Sequence, residues 1–180
     1  LIDGVDELSI GNGNYIIKGK PAYTFKLTDY KRDPAGRVIV DSASGYPSLD
    51  PNIKEFGQTI PKYILGLSTI INWKNISISA VADYRGGNYI YNGIGPDQDF
   101  SGISYRSGQY GRLPFIFPNS VIETSPGKYV QNTATYTKSG GYDFWSQSRN
   151  TAANSNYITS AAFWKLREVA LTYAFPADMF

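Results

Sequence analysis

PKYILGLSTIINWKNISISAVADYRGG, residues 61–87, is the stretch that decides the fold class of this chain. Apolar side chains occupy nearly every second position over 63–73 and again over 76–84. Alternation with a period of two places these side chains on one face of an extended strand and their neighbours on the other. Because only Lys74 and Asn75 separate the two stretches, the segment predicts a long β-hairpin with one apolar and one polar face.

The same alternation recurs elsewhere, so we expect about five strands, at 13–18, 21–32, 61–73, 76–87 and 163–175. Short turns join the first two strands and the central hairpin, whereas the connections 33–60 and 88–162 are long. We therefore expect the short turns at one end of the sheet and the long loops at the other. Long structureless connections are rare in compact soluble domains, but they are usual on the extracellular side of outer-membrane β-barrels.

These patterns predict an all-β fold, in which 1–180 is a fragment of a large antiparallel transmembrane β-barrel. From Tyr63 to Trp73, at about 3.3 Å per residue and a tilt near 40°, the strand spans roughly 25 Å of the membrane normal. Tyr63 and Tyr84 would mark the outer interface, and Trp73 and Phe175 the periplasmic one. The chain opens within a pattern, so we expect it to be part of a longer protein. The alternative is a soluble, secreted, carbohydrate-binding β-sandwich whose apolar face packs on a second sheet.

The composition argues against several classes of function. The chain has 17 Lys and Arg, 15 Asp and Glu, a formal net charge of +2, and neither His nor Cys. A balanced charge without a basic cluster does not suit a nucleic-acid partner. Without His or Cys, the usual nucleophile systems, zinc sites and disulfides cannot form. A carboxylate-based glycosidase would need two acids that face one cleft, and the sequence locates no such pair. We therefore expect a protein that is not an enzyme and holds no cofactor.

Four segments of the chain resemble the SusC/RagA-type TonB-dependent outer-membrane transporters. The first is 19–92, which begins GKPAYTFKLTDYKRDP, and the others are RLPFIFPNSV (112–121), GKYVQNT (127–133) and YITSAAFWKLREVALTYAFP (157–176). They occur in the order found in that family. The resemblance implies a barrel that imports oligosaccharides, or sometimes peptides, across the bacterial outer membrane. It also implies three partners: outer-membrane lipid, a SusD-like surface lipoprotein, and the TonB complex, which would act through a part N-terminal to this chain.

The polar face of the hairpin is expected to line the lumen of such a barrel. The residues that share this face on the second strand include Ser77, Ser79, Asp83 and Arg85. Asp83 and Arg85 lie two apart on one face, which allows them to pair with each other. Exposing an Arg to lipid at mid-bilayer costs about 2–4 kcal/mol, so these charges oppose a one-residue slip of the register.

Substrate contacts are expected in the second long loop, 88–162, which is rich in aromatic residues. Aromatic rings stack on the apolar faces of sugar rings, while amide and guanidinium groups bind hydroxyl groups. On this basis the candidate substrate-binding residues are Tyr89, Tyr91, Arg112 and Trp145. Phe115, Phe117 and Pro118 are interpreted instead as a small core on which the loop folds.

One short motif in this loop resembles the start of a calcium-binding loop. The stretch 97–102, DQDFSG, matches the first six positions, where alternating oxygens converge on the ion. The twelfth position is Gly108, where a bidentate Glu is expected. We therefore interpret the motif as part of a polar loop and predict no metal site.

Overall fold

A computed structural model describes residues 4–109, 113–135, 142–146 and 148–176 of the chain. Its strands are β1 (Glu7–Gly11), β2 (Asn14–Ile17), β3 (Thr24–Leu27), β4 (Val38–Val40), β5 (Lys54–Gln58), β6 (Tyr63–Trp73), β7 (Ile76–Gly86), β8 (Tyr89–Tyr91), β9 (Ser120–Ser125), β10 (Lys128–Gln131), β11 (Ile158–Ser160) and β12 (Phe163–Tyr173). Its helices are α1 (Gly95–Phe100), α2 (Tyr105–Gly108), α3 (Tyr142–Ser146) and α4 (Ser148–Thr151), with a 3₁₀ helix at Asn154–Tyr157. None of the helices in these ranges is long and apolar enough to cross a membrane.

The longest sheet is built around the hairpin that the alternation predicts. β6 and β7 have 11 residues each, and they pair without interruption from Tyr63 opposite Gly86 to Trp73 opposite Ile76. Lys74 has a φ of 53° in the two-residue turn. Such a positive φ is what a tight turn between right-handed twisted strands requires.

β12 completes this sheet on the other side of β7. It pairs from Phe163 opposite Arg85 to Tyr173 opposite Ile76, with one irregularity between Leu166 and Glu168. The strand order is therefore β12-β7-β6, and every pair in it is antiparallel. We call these three strands the long sheet. In the ranges that the structure describes, no sheet closes into a barrel.

The N-terminal strands form a separate sheet, which differs from the prediction of about five neighbouring barrel strands. β2 and β3 lie within the predicted strands 13–18 and 21–32 but are shorter, and the strand order of their sheet is β1-β2-β3-β5. β3 pairs with β5 instead of β6. Thr24, Phe25 and Leu27 are all buried. Because neighbouring positions on both sides of β3 are buried, this strand lacks the exposed apolar face of a membrane strand.

The link between β2 and β3 also lies at the end of the long sheet opposite to the predicted one. Thr59 N donates a hydrogen bond to Tyr23 O at 3.1 Å. Thr59 comes shortly before Tyr63, the first residue of β6, whereas the turn at Lys74 lies at the far end of that strand. The two short turns are therefore at different ends, and the prediction that they share one end is wrong.

The described residues of 33–60 and 88–162, which are predicted as long loops, fold together into one packed unit. β4 pairs in parallel with β9, with Ile39 opposite Val121, although the two strands are far apart in the chain. The buried core of this unit consists of Tyr30, Val38, Val40 and Ala153, with Phe117 and Ile122 packed against it. We call the described residues of 28–58 and 89–160 the cap.

The cap joins the long sheet at three short links, each of which connects a long strand to a strand of the cap. β5 precedes β6, β8 follows β7, and β11 precedes β12, while β8 and β11 pair with each other. Asn88, in the link between β7 and β8, forms hydrogen bonds to the other two links. Its side-chain Nδ2 donates to Thr59 O at 3.1 Å, and its backbone O accepts from Ala161 N at 3.0 Å. The cap therefore lies at the Tyr63 end of the long sheet.

A substitution at Val121 tests whether the cap is a packed unit, because this side chain is 0% exposed. We expect Val121→Ala to destabilise the cap by about 2 kcal/mol, since truncation removes apolar burial and leaves a cavity. Hydrogen exchange of the β9 amides should then accelerate by roughly 30-fold. Val130→Ala, on the neighbouring β10 at a side chain 48% exposed, is the control and should leave this exchange unchanged. Equal protection in both variants would contradict a packed cap.

Candidate functional site

The long sheet carries an apolar face that the described part of the chain leaves uncovered. The register aligns on this face Leu65, Leu67 and Ile71 of β6, Ile76, Ile78, Ala80 and Ala82 of β7, and Leu166, Val169 and Leu171 of β12. Leu65, Ile78 and Leu171 are 55%, 44% and 71% exposed. A β-sandwich would bury such side chains beneath a second sheet, and the residues described here supply none. An exposed apolar surface of this extent marks a face that contacts a partner or a membrane.

Aromatic side chains lie at both ends of this apolar face. Tyr84 and Trp164 are opposite each other, with ring centroids 5.1 Å apart, next to Tyr63 at the cap end. The turn end carries Trp73, Tyr173 and Phe175. The structure therefore groups Tyr63 with Tyr84 and Trp73 with Phe175, as the pattern predicts, and it adds Trp164 and Tyr173 to the two groups.

The opposite face of the long sheet carries the residues predicted to face a lumen, namely Ser77, Ser79, Asp83 and Arg85. Arg167 Nη2, from β12, donates to Asp83 Oδ2 at 3.0 Å, and Arg85 Nε lies 3.7 Å from the same oxygen. The pairing expected from the spacing of Asp83 and Arg85 is thus present, with Arg167 as a second cationic partner. Ile64, Ile70 and Val81 also lie on this face, so it is mixed in character.

A buried carboxylate organises the cap. Asp99, at the end of α1, is 1% exposed. It accepts hydrogen bonds from Arg106 Nε at 3.1 Å and from the Tyr157 hydroxyl at 2.8 Å. Asn150 Nδ2, on α4, donates to it at 3.2 Å. Asp99 therefore ties α1, α2, α4 and the 3₁₀ helix together.

Because Asp99 pairs with Arg106, the motif that resembles a calcium-binding loop has a structural role. The stretch 97–102 is helical up to Phe100, whereas the sequence is interpreted as part of a polar loop. Its one buried carboxylate faces Arg106. Within the described ranges, no group of three or more acidic, His or Cys side chains is placed to hold a metal ion.

The environment of this network shifts its pKa values. Burial alone would raise the pKa of Asp99, but hydrogen bonds from Arg106, Ser104 and Tyr157 outweigh it, and the pKa lies below its usual value. Burial, together with the bond to Asp99, raises the pKa of Tyr157. Burial opposes the charge of Arg106, but the bond to Asp99 outweighs it and raises the pKa. All three groups therefore keep one protonation state around neutral pH, which suits a structural role.

A second carboxylate, Asp29, links the two parts of the cap, 28–58 and 89–160, through its bond from Ser155. Ser155 Oγ donates to Asp29 Oδ1 at 2.8 Å, and Arg32 Nε donates to Asp29 Oδ2 at 3.1 Å. Burial opposes ionisation of Asp29, but these bonds outweigh it and lower its pKa. Nearby, burial raises the pKa of Tyr30 to about 12, and its hydroxyl accepts from Asn156 Nδ2 at 2.9 Å.

Trp145, a predicted substrate contact, lines a cavity of about 430 Å³ in the cap. Phe144 packs edge-on against two other rings of the lining, with centroids 5.3 Å from Phe115 and 5.8 Å from Phe117. Phe115 therefore packs within the loop, as we predict for a small core, whereas Phe117 also packs edge-on against Tyr30 outside the loop, with centroids 5.4 Å apart. The Arg106 guanidinium lies 5.4 Å from the Trp145 ring and gives this mostly apolar cavity a polar edge.

Tyr89 and Tyr91, two other predicted contacts, lie together on β8 and line a different cavity, of about 520 Å³. The Tyr91 hydroxyl donates to Asn154 Oδ1 at 3.2 Å, and its ring meets Tyr157 edge-on with centroids 6.4 Å apart. The structure thus brings Tyr89 and Tyr91 together and places Trp145 elsewhere in the cap. The fourth candidate, Arg112, lies outside the described residues.

Several polar residues of the cap escape prediction from the sequence. Arg106, Asn150 and Asn156 converge on the cavity of Trp145, yet the segment that contains β9 and β10 separates Arg106 from the two Asn residues in the chain. Asn and Arg are common in exposed loops, so no local pattern distinguishes a buried one. The one available signal is the high content of Asn in 150–156, which is unusual beside a buried core.

No family model matches this chain, and a search of curated proteins finds no match either.

The lowered pKa of Asp99 predicts how cap stability depends on pH. Because the folded pKa lies below the unfolded value near 3.8, the ion pair stabilises the fold fully above that value and less as pH falls through the folded pKa. Asp99→Asn should remove this part of the acid sensitivity. At neutral pH it should cost about 2 kcal/mol, less than for a fully buried pair, because the Arg106 side chain is 38% exposed.

Chemical unfolding monitored by Trp fluorescence between pH 2.5 and 7 measures both effects. Asp97→Asn, at an exposed carboxylate on the same helix, is the matched control and should leave the curve unchanged. An Asp99→Asn protein with the acid sensitivity of the wild type would show that Asp99 does not carry it.

Proposed function

We propose that the long sheet is a membrane-spanning part of an outer-membrane β-barrel importer. The observation that carries this proposal is the uncovered apolar face, which extends over three strands and ends in aromatic residues on both sides. Barrel strands present such a face to lipid, with aromatic girdles at the two interfaces.

The dimensions of the long sheet support this proposal. β6 and β12 have 11 residues each, and β7 has the same length. A tilted barrel strand needs about 9–11 residues to cross the hydrocarbon core. The Lys62 and Lys74 ammonium groups lie 5.5 Å and 5.1 Å from the Tyr63 and Trp73 rings, one at each end of β6. Basic and aromatic residues at both ends of an apolar span are typical of membrane interfaces.

The distribution of charge supports one orientation of the sheet. Asp83, Arg85, Lys165 and Arg167 all come from the face opposite to the apolar one or from the irregularity in β12. A charge on the lipid side at mid-bilayer costs about 2–4 kcal/mol for Arg or Lys. This face therefore lines the barrel interior in our proposal, and the Asp83–Arg167 ion pair lies there.

We extend the proposal to the transported substrate through the resemblance to SusC/RagA-type transporters. On this view the chain takes part in TonB-dependent import of oligosaccharides, or of peptides, at the outer membrane of a bacterium. The cap faces the cell exterior, where a SusD-like lipoprotein delivers the substrate. Trp145, with Tyr89, Tyr91 and Arg112, supplies the contacts that we assign to the substrate.

A pair of adjacent substitutions tests the membrane orientation. Leu67 lies near the centre of β6 on the apolar face, and Ser68 follows it on the opposite face. We expect Leu67→Arg to lower the stability of the full-length protein in phospholipid bilayers by about 2–4 kcal/mol, and Ser68→Arg to have a much smaller effect. Urea titration of the protein folded in vesicles measures both. Equal losses at the two positions would contradict the orientation.

Uptake by cells tests the transport proposal itself. We expect cells that express the full-length protein to take up an oligosaccharide too large for porins, and a protonophore to stop this uptake, because TonB draws its energy from the inner membrane. Fluorescently labelled oligosaccharide, counted in washed cells, gives the rate. Uptake that continues at the same rate after the protonophore would indicate a passive pore and not a TonB-dependent importer.

A further inference from the structure

A concave space lies on the face of the long sheet opposite to the apolar one, close to the cap. It measures about 440 Å³, and its lining includes Ile64, Gly66, Ser68, Asp83, Arg85 and Arg167. Arg85 is opposite Ile64, which is the second residue of β6 from its cap end. We call this space the wall cavity.

Two guanidinium groups in the wall cavity share one carboxylate. Arg167 Nη2 donates to Asp83 Oδ2 at 3.0 Å, and Arg85 Nε lies 3.7 Å from the same oxygen. Within β6, β7 and β12, all of which the structure describes, the other charged residues are Lys165, opposite Asp83, and Glu168, opposite Val81. This face of the long sheet therefore has three cationic and two anionic side chains, an excess of one positive charge.

Both guanidinium groups keep hydrogen-bond donors that Asp83 does not use. An Arg side chain has five N–H donors in a planar fork. Arg167 donates to Asp83 through Nε and Nη2, so the donors of Nη1 remain. The side chains of Arg85 and Arg167 are 46% and 41% exposed, whereas that of Asp83 is 16% exposed. A ligand in the wall cavity therefore reaches the guanidinium groups more readily than the carboxylate.

Gly66 provides room beside these groups. It lies within β6, directly opposite Asp83, and a Cβ at this position would meet no atom within 4 Å. Its φ lies outside the left-handed region, so the backbone conformation does not require glycine either. Glycine weakens the interior of a strand, and it often marks a place where a ligand or another backbone comes close. The space beside Asp83 thus indicates that a ligand approaches the strand there.

Charge and geometry define the chemistry of this ligand. The planar fork of Arg binds a carboxylate through two parallel hydrogen bonds, which are stronger than those between neutral groups. One carboxylate neutralises an excess of one positive charge, whereas a phosphate dianion would leave a negative charge next to Asp83. Arg and Lys side chains that line a pore favour anions for the same reason.

We propose that the wall cavity is a subsite for a carboxylate group of the transported substrate, which Arg85 and Arg167 bind beside Gly66. Asp83 is a positioning residue, because it holds the two guanidinium groups next to each other. The proposal rests on the proposed import function and deepens it, since the importer then selects acidic over neutral substrates where they enter the barrel. Uronic acids of an oligosaccharide and acidic side chains of a peptide both carry this group.

Protection from phenylglyoxal tests this subsite in the full-length protein in detergent. The reagent modifies accessible guanidinium groups, and mass spectrometry of the digested protein gives the rate at each Arg. The probes are trimers of galacturonic acid and of galactose, and blocked tetrapeptides of Asp and of Asn. We expect at least one acidic probe, at ten times its Kd, to slow modification of Arg85 and Arg167 about tenfold. Its neutral counterpart should have no effect.

Two comparisons make this experiment specific. Arg37, in the cap, is 38% exposed and paired with Asp33, and it should be modified at the same rate with and without each probe. Protection by the galacturonic acid trimer alone identifies oligosaccharides as the source of the carboxylate, and protection by the Asp peptide alone identifies peptides. Protection by both shows that the carboxylate itself is recognised.

Two substitutions separate the charge of the wall cavity from its space, with calorimetric titration of the protecting acidic probe as the measurement. Arg85→Gln should weaken binding about tenfold, the effect of losing one charge-assisted hydrogen bond. Gly66→Val keeps every charge but fills the space, so it should weaken binding at least as much. Its unfolding midpoint should not fall, because a β-branched residue suits a strand better than glycine. Asn72→Val, on the same face of β6 near the turn, is the matched control and should bind as the wild type does.

Four results would overturn the subsite. Three are unchanged modification of Arg85 and Arg167 with both acidic probes, equal protection by the neutral counterparts, and wild-type affinity in the Arg85 and Gly66 variants. The fourth is a pair of guanidinium groups that stay unreactive without any probe, because another segment of the full-length protein then covers them. All four leave the membrane orientation and the energy dependence of uptake untouched. Failure of the proposed function would instead be seen in the Leu67 and Ser68 variants or with the protonophore.

Discussion

The antiparallel register of β7 with β6 and β12 is the constraint on which the rest of the structure depends. Successive side chains of a strand point to opposite faces, so a slip by one residue would exchange the two faces of the long sheet. The register holds Ile78 in line with Ile71 and Leu171 on one face. On the other face Asp83 meets Arg167, and a slip of one strand by one residue would place these two side chains on opposite faces. An apolar face left open to its surroundings is costly in water, and a lipid environment removes that cost.

The cap depends on a different kind of interaction. Its apolar core is small, and much of its order comes from buried hydrogen bonds that connect segments far apart in the chain. Asp99 holds Arg106 and Tyr157, and Asp29 holds Arg32 and Ser155. Each carboxylate replaces its lost hydration with several donors, which is the condition for burying a charge. The bond from Ser155 to Asp29 joins the two parts of the cap, 28–58 and 89–160, and Asn88 joins the cap to the long sheet.

The parts of the fold that sequence predicts best are those governed by local geometry. The period-two alternation over 63–84 is visible without any structure, and the strands, their turn and the faces of Ser77, Ser79, Asp83 and Arg85 follow from it. The surroundings of the strand predicted at 21–32 do not follow from its alternation. Its partner is β5 and its side chains are buried on both faces, and both features depend on how the cap folds. The parallel pairing of β4 with β9 and the bonds to Asp99 join distant segments, so no local pattern encodes them. Of the candidate contacts, the aromatic type is predictable, but the separation of Tyr89 and Tyr91 from Trp145 depends on how the loops fold.

The central claim is that lipid covers one face of the long sheet and water the other. Spin labels placed singly at each position from 76 to 85 of β7, in the full-length protein in bilayers, measure this directly through their collision rates with oxygen and with a water-soluble nickel complex. Our account predicts a period of two, with the labels at 78, 80 and 82 more accessible to oxygen and those at 77, 79 and 83 more accessible to nickel. Equal accessibility of neighbouring positions, or access of nickel to both faces, would contradict it.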